Sequence, residues 1–254
     1  MSTRSATLAA TAALTLLVFA AAATPARFPR FGSGCFRDDI TSGGATVRAE
    51  LCRAGSGPPR AVVVLHGCGG FSTFDHRLVT ELPRFGISTL DVDYFAPTPP
   101  PGKKGFCNAR RRGRDAFPRW VEVARDAGRA LRRGGVAPAS GIGIVGWSLG
   151  GAVATQAAAA PARQRVFAAV AGFSTGAFGA NPAFAALLPP TILLSAGATD
   201  AVPLADTLPL FRALRAAHVA SSLYVYPRGS HDWPGRQGTL GIRRAAAFLR
   251  AHLH

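Results

Sequence analysis

The chain has 254 residues, 48% of them hydrophobic, with 29 glycines and 19 prolines scattered along it. This excludes a low-complexity or disordered chain and leaves room for one large α/β core. A formal charge of +16 would suit an anionic partner. The basic residues are spread along helix-like segments with no nucleic-acid-binding motif around them, however, so a solvated arginine surface is expected and nucleic acid is not.

Residues 1–26 have the order of parts of a secretory signal. Arg4 precedes an apolar stretch over 6–20, and Ala21, Ala22 and Ala23 follow. Cleavage is expected near 23–26, leaving 27–254 as a single domain exported to the periplasm or the cell exterior. A retained anchor is the competing reading, since the stretch approaches the ~18 apolar residues of a spanning helix. No later segment has that length and hydropathy, so no stable membrane partner is expected after cleavage.

In an exported chain, the four cysteines Cys35, Cys52, Cys68 and Cys107 suggest disulfides. Thr41-Ser42-Gly43-Gly44 is a turn signal. Folding residues 35–40 onto 46–53 about this turn sets Cys35 opposite Cys52, within reach of a bridge. Cys68 is then left with Cys107. Four free buried thiols are the alternative.

After this hairpin the pattern alternates. Residues 61–65 are a continuous β-branched run, as in a strand buried on both faces. A helix follows over 75–84, a strand over 87–94, a Pro/Gly-rich loop over 96–113 and an amphipathic helix over 115–133. Then come a strand over 142–146, a helix over 149–160, and strands over 166–172, 191–196 and 221–226. Further helices are expected over 203–217 and 240–254. The alternation predicts a mostly parallel sheet with helices on both faces and an antiparallel hairpin at its start. No insertion is large enough for a cap domain.

Gly146-Trp147-Ser148-Leu149-Gly150-Gly151 falls between a strand and a helix, the context a nucleophile elbow requires. A serine hydroxyl needs an adjacent base. His231, in Gly229-Ser230-His231-Asp232-Trp233, lies in a loop after the last strand. His66 and His76 precede the serine, His218 is at a helix end, and His252 and His254 are at the tail. Asp200 follows the preceding strand and completes the order Ser…Asp…His; it would hold His231 in the right tautomer. Asp206 and Asp232 are its rivals. Two backbone N–H groups should hold the oxyanion. Leu149 supplies one, and Cys68, in His66-Gly67-Cys68-Gly69-Gly70, the other. His66 is read as structural.

These motifs, with Gly197-x-x-Asp200-x-x-Pro203, together resemble the dienelactone hydrolase family of the α/β-hydrolase superfamily. The resemblance runs from about residue 35 to the C-terminus. Archetypal members carry cysteine as nucleophile; Ser148 points to the serine-bearing branch, mostly esterases. The elbow also resembles that of secreted polyesterases of the cutinase type. The resemblance implies no metal and no organic cofactor.

The 96–113 loop should emerge at the carboxyl edge of the sheet, where ligands bind. Its basic cluster (Lys103, Lys104, Arg110, Arg111, Arg112 and Arg114) could attract an anionic substrate, or simply be solvated. Phe71, Trp147 and Trp233, with Phe74 and Phe106, are candidates to line an apolar substrate pocket or to belong to the core. The expected activity is hydrolysis of a small carboxylic ester or lactone through an acyl-enzyme on Ser148. An acyltransferase with the same triad and a non-catalytic binding protein of the same fold are the competing readings. The oligomeric state is not legible.

Overall fold

In the computed structural model, the described residues are 34–254 except 56, 101, 103, 176–179, 198, 199, 201 and 203. The expected signal over 1–26 lies outside them. The hairpin forms, but in two parts. β1 (Cys35–Arg37) pairs antiparallel with β4 (Ala49–Cys52), and β2 (Ile40–Ser42) pairs with β3 (Ala45–Val47) around the Gly43-Gly44 turn. Both turn glycines have positive φ, which glycine adopts without a Cβ penalty. Cys35 stands directly opposite Cys52, and the structure bonds the two.

β5 (Ala61–Leu65) is buried at every position, as its unbroken apolar run requires. β6 (Ser88–Val92), β7 (Ile142–Trp147), β8 (Ala169–Phe173), β9 (Thr191–Ser195) and β10 (Ser221–Val225) complete an eight-stranded sheet in the order β1-β4-β6-β5-β7-β8-β9-β10. Every pair from β6 to β10 is parallel; β4 joins β6 antiparallel.

α1 (Thr73–Glu81) and α6 (Gly235–His252) contact each other and the sheet. α2 (Arg110–Arg133), α3 (Leu149–Ala158) and α5 (Leu204–Ala216) supply Trp120, Val153 and Leu214 to one shared core with the strands. A short α4 (Pro182–Ala185), capped by the Asn181 side chain, was not expected from sequence. α2 and α6 each begin five residues before their sequence-based starts. The first turn of α2 is so rich in arginine, and that of α6 so rich in glycine, that neither shows an apolar stripe.

The chain runs from β5 outward to β6, then crosses back to β7 on the other side of β5. That reversal opens a crevice at the carboxyl ends of β5 and β7, the general ligand position in such sheets. Leu65 is paired with Gly146 there, so the two strands end nearly level.

Candidate active site

Ser148 follows β7 directly and opens α3 with φ 54° and ψ −119°. A side-chain-bearing residue pays ~1–3 kcal/mol to stay in such a region, so its surroundings must hold it there. They do so by close backbone packing. A Cβ on Gly146 would lie 2.2 Å from the Gly150 carbonyl oxygen, and one on Gly150 would lie 2.2 Å from that of Leu65. The Ser148 N–H donates to the Phe173 carbonyl at 2.9 Å, extending the β7–β8 ladder up to the turn. The serine is 8% exposed.

Asp200, after β9, and His231, after β10, meet at the same edge of the sheet. His231 Nδ1 is in hydrogen-bond contact with Asp200 Oδ1. That leaves Nε2 as the nitrogen free for proton transfer. Asp200 Oδ1 also accepts from the Val202 N–H at 3.1 Å. Its Oδ2 accepts from the Ser174 hydroxyl. The rivals Asp206 and Asp232 are both exposed.

Trp147, next to Ser148, donates its indole N–H to the His231 carbonyl at 2.9 Å, and the two rings lie 5.3 Å apart. The immediate neighbour of Ser148 therefore clasps the histidine loop. From the other side, Gln237 brackets Ser230, accepting from its N–H at 2.8 Å and donating to its carbonyl at 2.9 Å. Arg77 of α1 reaches the carbonyls of Trp233 and Gly235.

Trp233 was a candidate pocket residue. It is fully buried, so its ring has no free face for a ligand. It stacks on Phe74, meets Phe173 edge-on, and donates to Ser174 Oγ at 3.1 Å. Trp147 is almost as buried, pressed against Gly67. Phe74 and Phe106 are also core residues. Phe71 alone of these is half-buried, edge-on to His66.

The Gly67–Gly70 turn closes through a 3.1 Å hydrogen bond from the Gly70 N–H to the Gly67 carbonyl. Gly150 packs against the carbonyls of Leu65 and His66, so this loop and the serine turn abut. Leu149 is the first residue of α3, and first-turn N–H groups have no helical acceptor. Cys68 is bonded to Cys107. Its carbonyl accepts from the Phe106 N–H at 2.7 Å and would lie 2.1 Å from a Cβ on Gly105, whose φ is +60°. The 96–113 segment is therefore fastened to the glycine loop at three consecutive residues.

Behind that loop, His66 is fully buried between Tyr94 and Phe95, and the Tyr94 hydroxyl donates to its carbonyl at 2.8 Å. This is the environment of a packed residue. Burial lifts the Asp75 carboxyl to about 6, against the opposing pull of His66 and of hydrogen bonds from Ser72. Burial lifts Asp91 well above the usual carboxylate range, and neighbouring Asp75 adds to the effect.

Sequence reasoning missed Ser174, Gln237, Arg77 and Gly105. Three of the four described non-glycine residues with positive φ, namely Ser148, Ser174 and Trp233, belong to this one cluster. For Ser174 the sequence offers only a hydroxyl just past a strand end. The others act through loops whose approach no local pattern encodes.

No curated protein matches this chain. Solved structures share its fold. A dienelactone hydrolase from Anabaena variabilis ATCC 29413 is 19% identical, with a TM-score of 0.68 over 87% of this chain and 98% of that one. A dienelactone hydrolase-like promiscuous phosphotriesterase from metagenomic libraries is 16% identical, with a TM-score of 0.67 over 87% and 98%. An esterase/lipase from an uncultured bacterium is 23% identical, with a TM-score of 0.66 over 88% and 87%. The family model for dienelactone hydrolases matches residues 51–250, and the chain belongs to that family of hydrolases.

Proposed function

We propose that the protein is an exported serine hydrolase of carboxylic esters or lactones. The observation that carries this reading lies at the carboxyl edge of the sheet: a serine on a strained turn, whose neighbour Trp147 holds the His231 carbonyl, and a His231 whose Nδ1 is engaged by a buried carboxylate. Ser148 Oγ attacks the carbonyl carbon while His231 Nε2 takes its proton. The N–H groups of Leu149 and Cys68 hold the oxyanion. Collapse expels the alcohol, which receives the proton from His231. A water activated by His231 then cleaves the acyl-enzyme and restores the serine. Asp200 keeps the imidazole in the Nδ1–H tautomer and stabilises its cation.

Of the aromatic candidates Phe71 is the half-buried one, which supports taking it as the residue that meets substrate. Two disulfides fit an oxidising compartment, which agrees with residues 1–26 acting as an export signal and 27–254 as one catalytic domain. Ser148→Ala should abolish turnover of p-nitrophenyl acetate and leave the circular dichroism spectrum intact. A folded mutant with undiminished turnover would remove the assignment. A panel of short esters, lactones and polyesters would then define the acyl and alcohol preference.

A further inference from the structure

The strand β7 that delivers Ser148 begins at Ile142, six residues earlier. At ~3.3 Å per residue Ile142 and Ser148 lie ~20 Å apart. A cleft of about 160 Å³ opens at the Ile142 end, on the edge of the sheet opposite the crevice. Eight residues line it, and four are arginines: Arg129, Arg132, Arg163 and Arg165. Arginine makes up 27 of the 254 residues of the chain; at that frequency a cleft of this size would contain about one.

The four come from two separate segments. Arg129 and Arg132 stand three apart on α2, on one face of the helix. Arg163 and Arg165 lie in and just after a 3-10 turn over Ala162–Gln164, which follows α3. Among the described residues that line the cleft, none is acidic. Arg129 forms an ion pair with Asp126 at 2.7 Å, and Arg165 donates to the Ala160 carbonyl at 3.1 Å and to that of Ala186 at 3.4 Å. These bonds use only part of two five-donor guanidinium groups. Arg132 and Arg163 are exposed. The positive charge is crowded enough to be felt nearby, since Arg129, after burial, helps lower the Arg125 guanidinium.

Gathering four like charges around a concavity opposes folding unless something negative occupies it. Planar guanidinium forks match the oxygens of phosphate in pairs. A cleft of about 160 Å³ lined by guanidinium forks suits a small anion such as one or two phosphoryl groups. We infer that this cleft is a second, non-catalytic site that binds a phosphate-bearing anion. Its source is either free phosphate or pyrophosphate, or the headgroup of an anionic lipid.

The test needs no activity readout. Thermal unfolding of the full mature chain is followed with inorganic phosphate, with pyrophosphate, and with chloride at matched ionic strength. Phosphate or pyrophosphate should raise Tm by about 2–4 °C at millimolar concentration, with chloride giving no such rise. Arg132→Ala/Arg163→Ala, both at exposed positions, should lose the rise. Arg133→Ala, a neighbour outside the lining, should keep it. In a parallel arm, binding to phosphatidylcholine vesicles with and without phosphatidate is compared for the same proteins. Binding to phosphatidate vesicles that the double variant loses, with no rise from soluble phosphate, assigns the site to a lipid headgroup. The inference is overturned if the double variant responds like the parent in both arms, or if the parent responds in neither. Ester turnover should be unchanged in the double variant, so this outcome is independent of the Ser148 assignment.

Discussion

Ser174→Ala is the perturbation whose effect can be worked most fully from the structure. The Ser174 hydroxyl is fully buried, donates to Asp200 Oδ2 and accepts from Trp233 Nε1 at 3.1 Å. Alanine removes both bonds and strands a carboxylate oxygen and an indole N–H away from water. Each stranded partner costs ~1–3 kcal/mol. Because Asp200 Oδ1 keeps His231 and Val202, the sum should fall near ~3 kcal/mol. For a chain of this size that is a Tm lowered by about 6–12 °C. Asp200 would also gain freedom to turn, loosening His231. At ~1.4 kcal/mol per tenfold in rate, losing one or two such units of alignment lowers kcat about 10–100-fold. KM should hardly change. Thermal denaturation and steady-state hydrolysis of p-nitrophenyl acetate measure the two effects. Trp233→Phe, made on top, removes the stranded N–H, so the double variant should be ~1 kcal/mol less destabilised than the sum of the singles. A Ser174→Ala protein that melts within ~2 °C of the parent, or strict additivity with Trp233→Phe, would refute the reasoning.

Other outcomes follow from the same contacts. Asp75 titrates near 6 when folded and near ~3.9 when unfolded. The folded carboxyl holds its proton more tightly, so its contribution to stability is full below about pH 4 and is lost as pH rises through about 6. Urea unfolding should therefore show Asp75→Asn gaining on the parent by up to ~3 kcal/mol between pH 4 and 7; a constant difference would contradict this. Gly150→Ala would set a Cβ 2.2 Å from the Leu65 carbonyl oxygen and 2.4 Å from that of His66. Neither backbone group can swing aside, so a loss of ~3 kcal/mol or more, with activity abolished, is expected; a parental melting curve would count against it. Cys68→Ser/Cys107→Ser removes a cross-link spanning 39 residues, worth ~4 kcal/mol by loop-closure entropy. Under conditions where the variant stays folded, kcat should also fall if, as proposed, the Cys68 N–H is an oxyanion donor held in place by this bridge. Parental kcat would remove that donor from the account.

Much of this arrangement is legible before any coordinates. β5 shows as five consecutive buried apolar residues, and the elbow shows because its glycines must be glycines for the backbones to approach so closely. Ser148, Asp200 and His231 can be picked out because each follows a strand, and chain order does the sorting. What sequence does not carry is orientation. Trp233 sits two residues from His231 and invites a pocket role, yet its ring is turned into the core by Phe74 and Phe173. Ser174 and Gln237 matter through contacts 26 and 7 residues away along the chain, respectively. The helix starts at Arg110 and Gly235 are hidden because no capping side chain marks them. The four-arginine cleft joins segments some thirty residues apart, and only folding brings them together.

The central claim is that Ser148 carries the acyl group. Incubating the protein with a slowly deacylating activated ester, quenching in acid and mapping peptides by mass spectrometry tests it directly. The account predicts one acyl adduct per chain, on Ser148, formed in a burst and absent in His231→Ala within the same interval. An adduct on another residue, or steady turnover with Ser148 unmodified and replaceable by alanine, would contradict it.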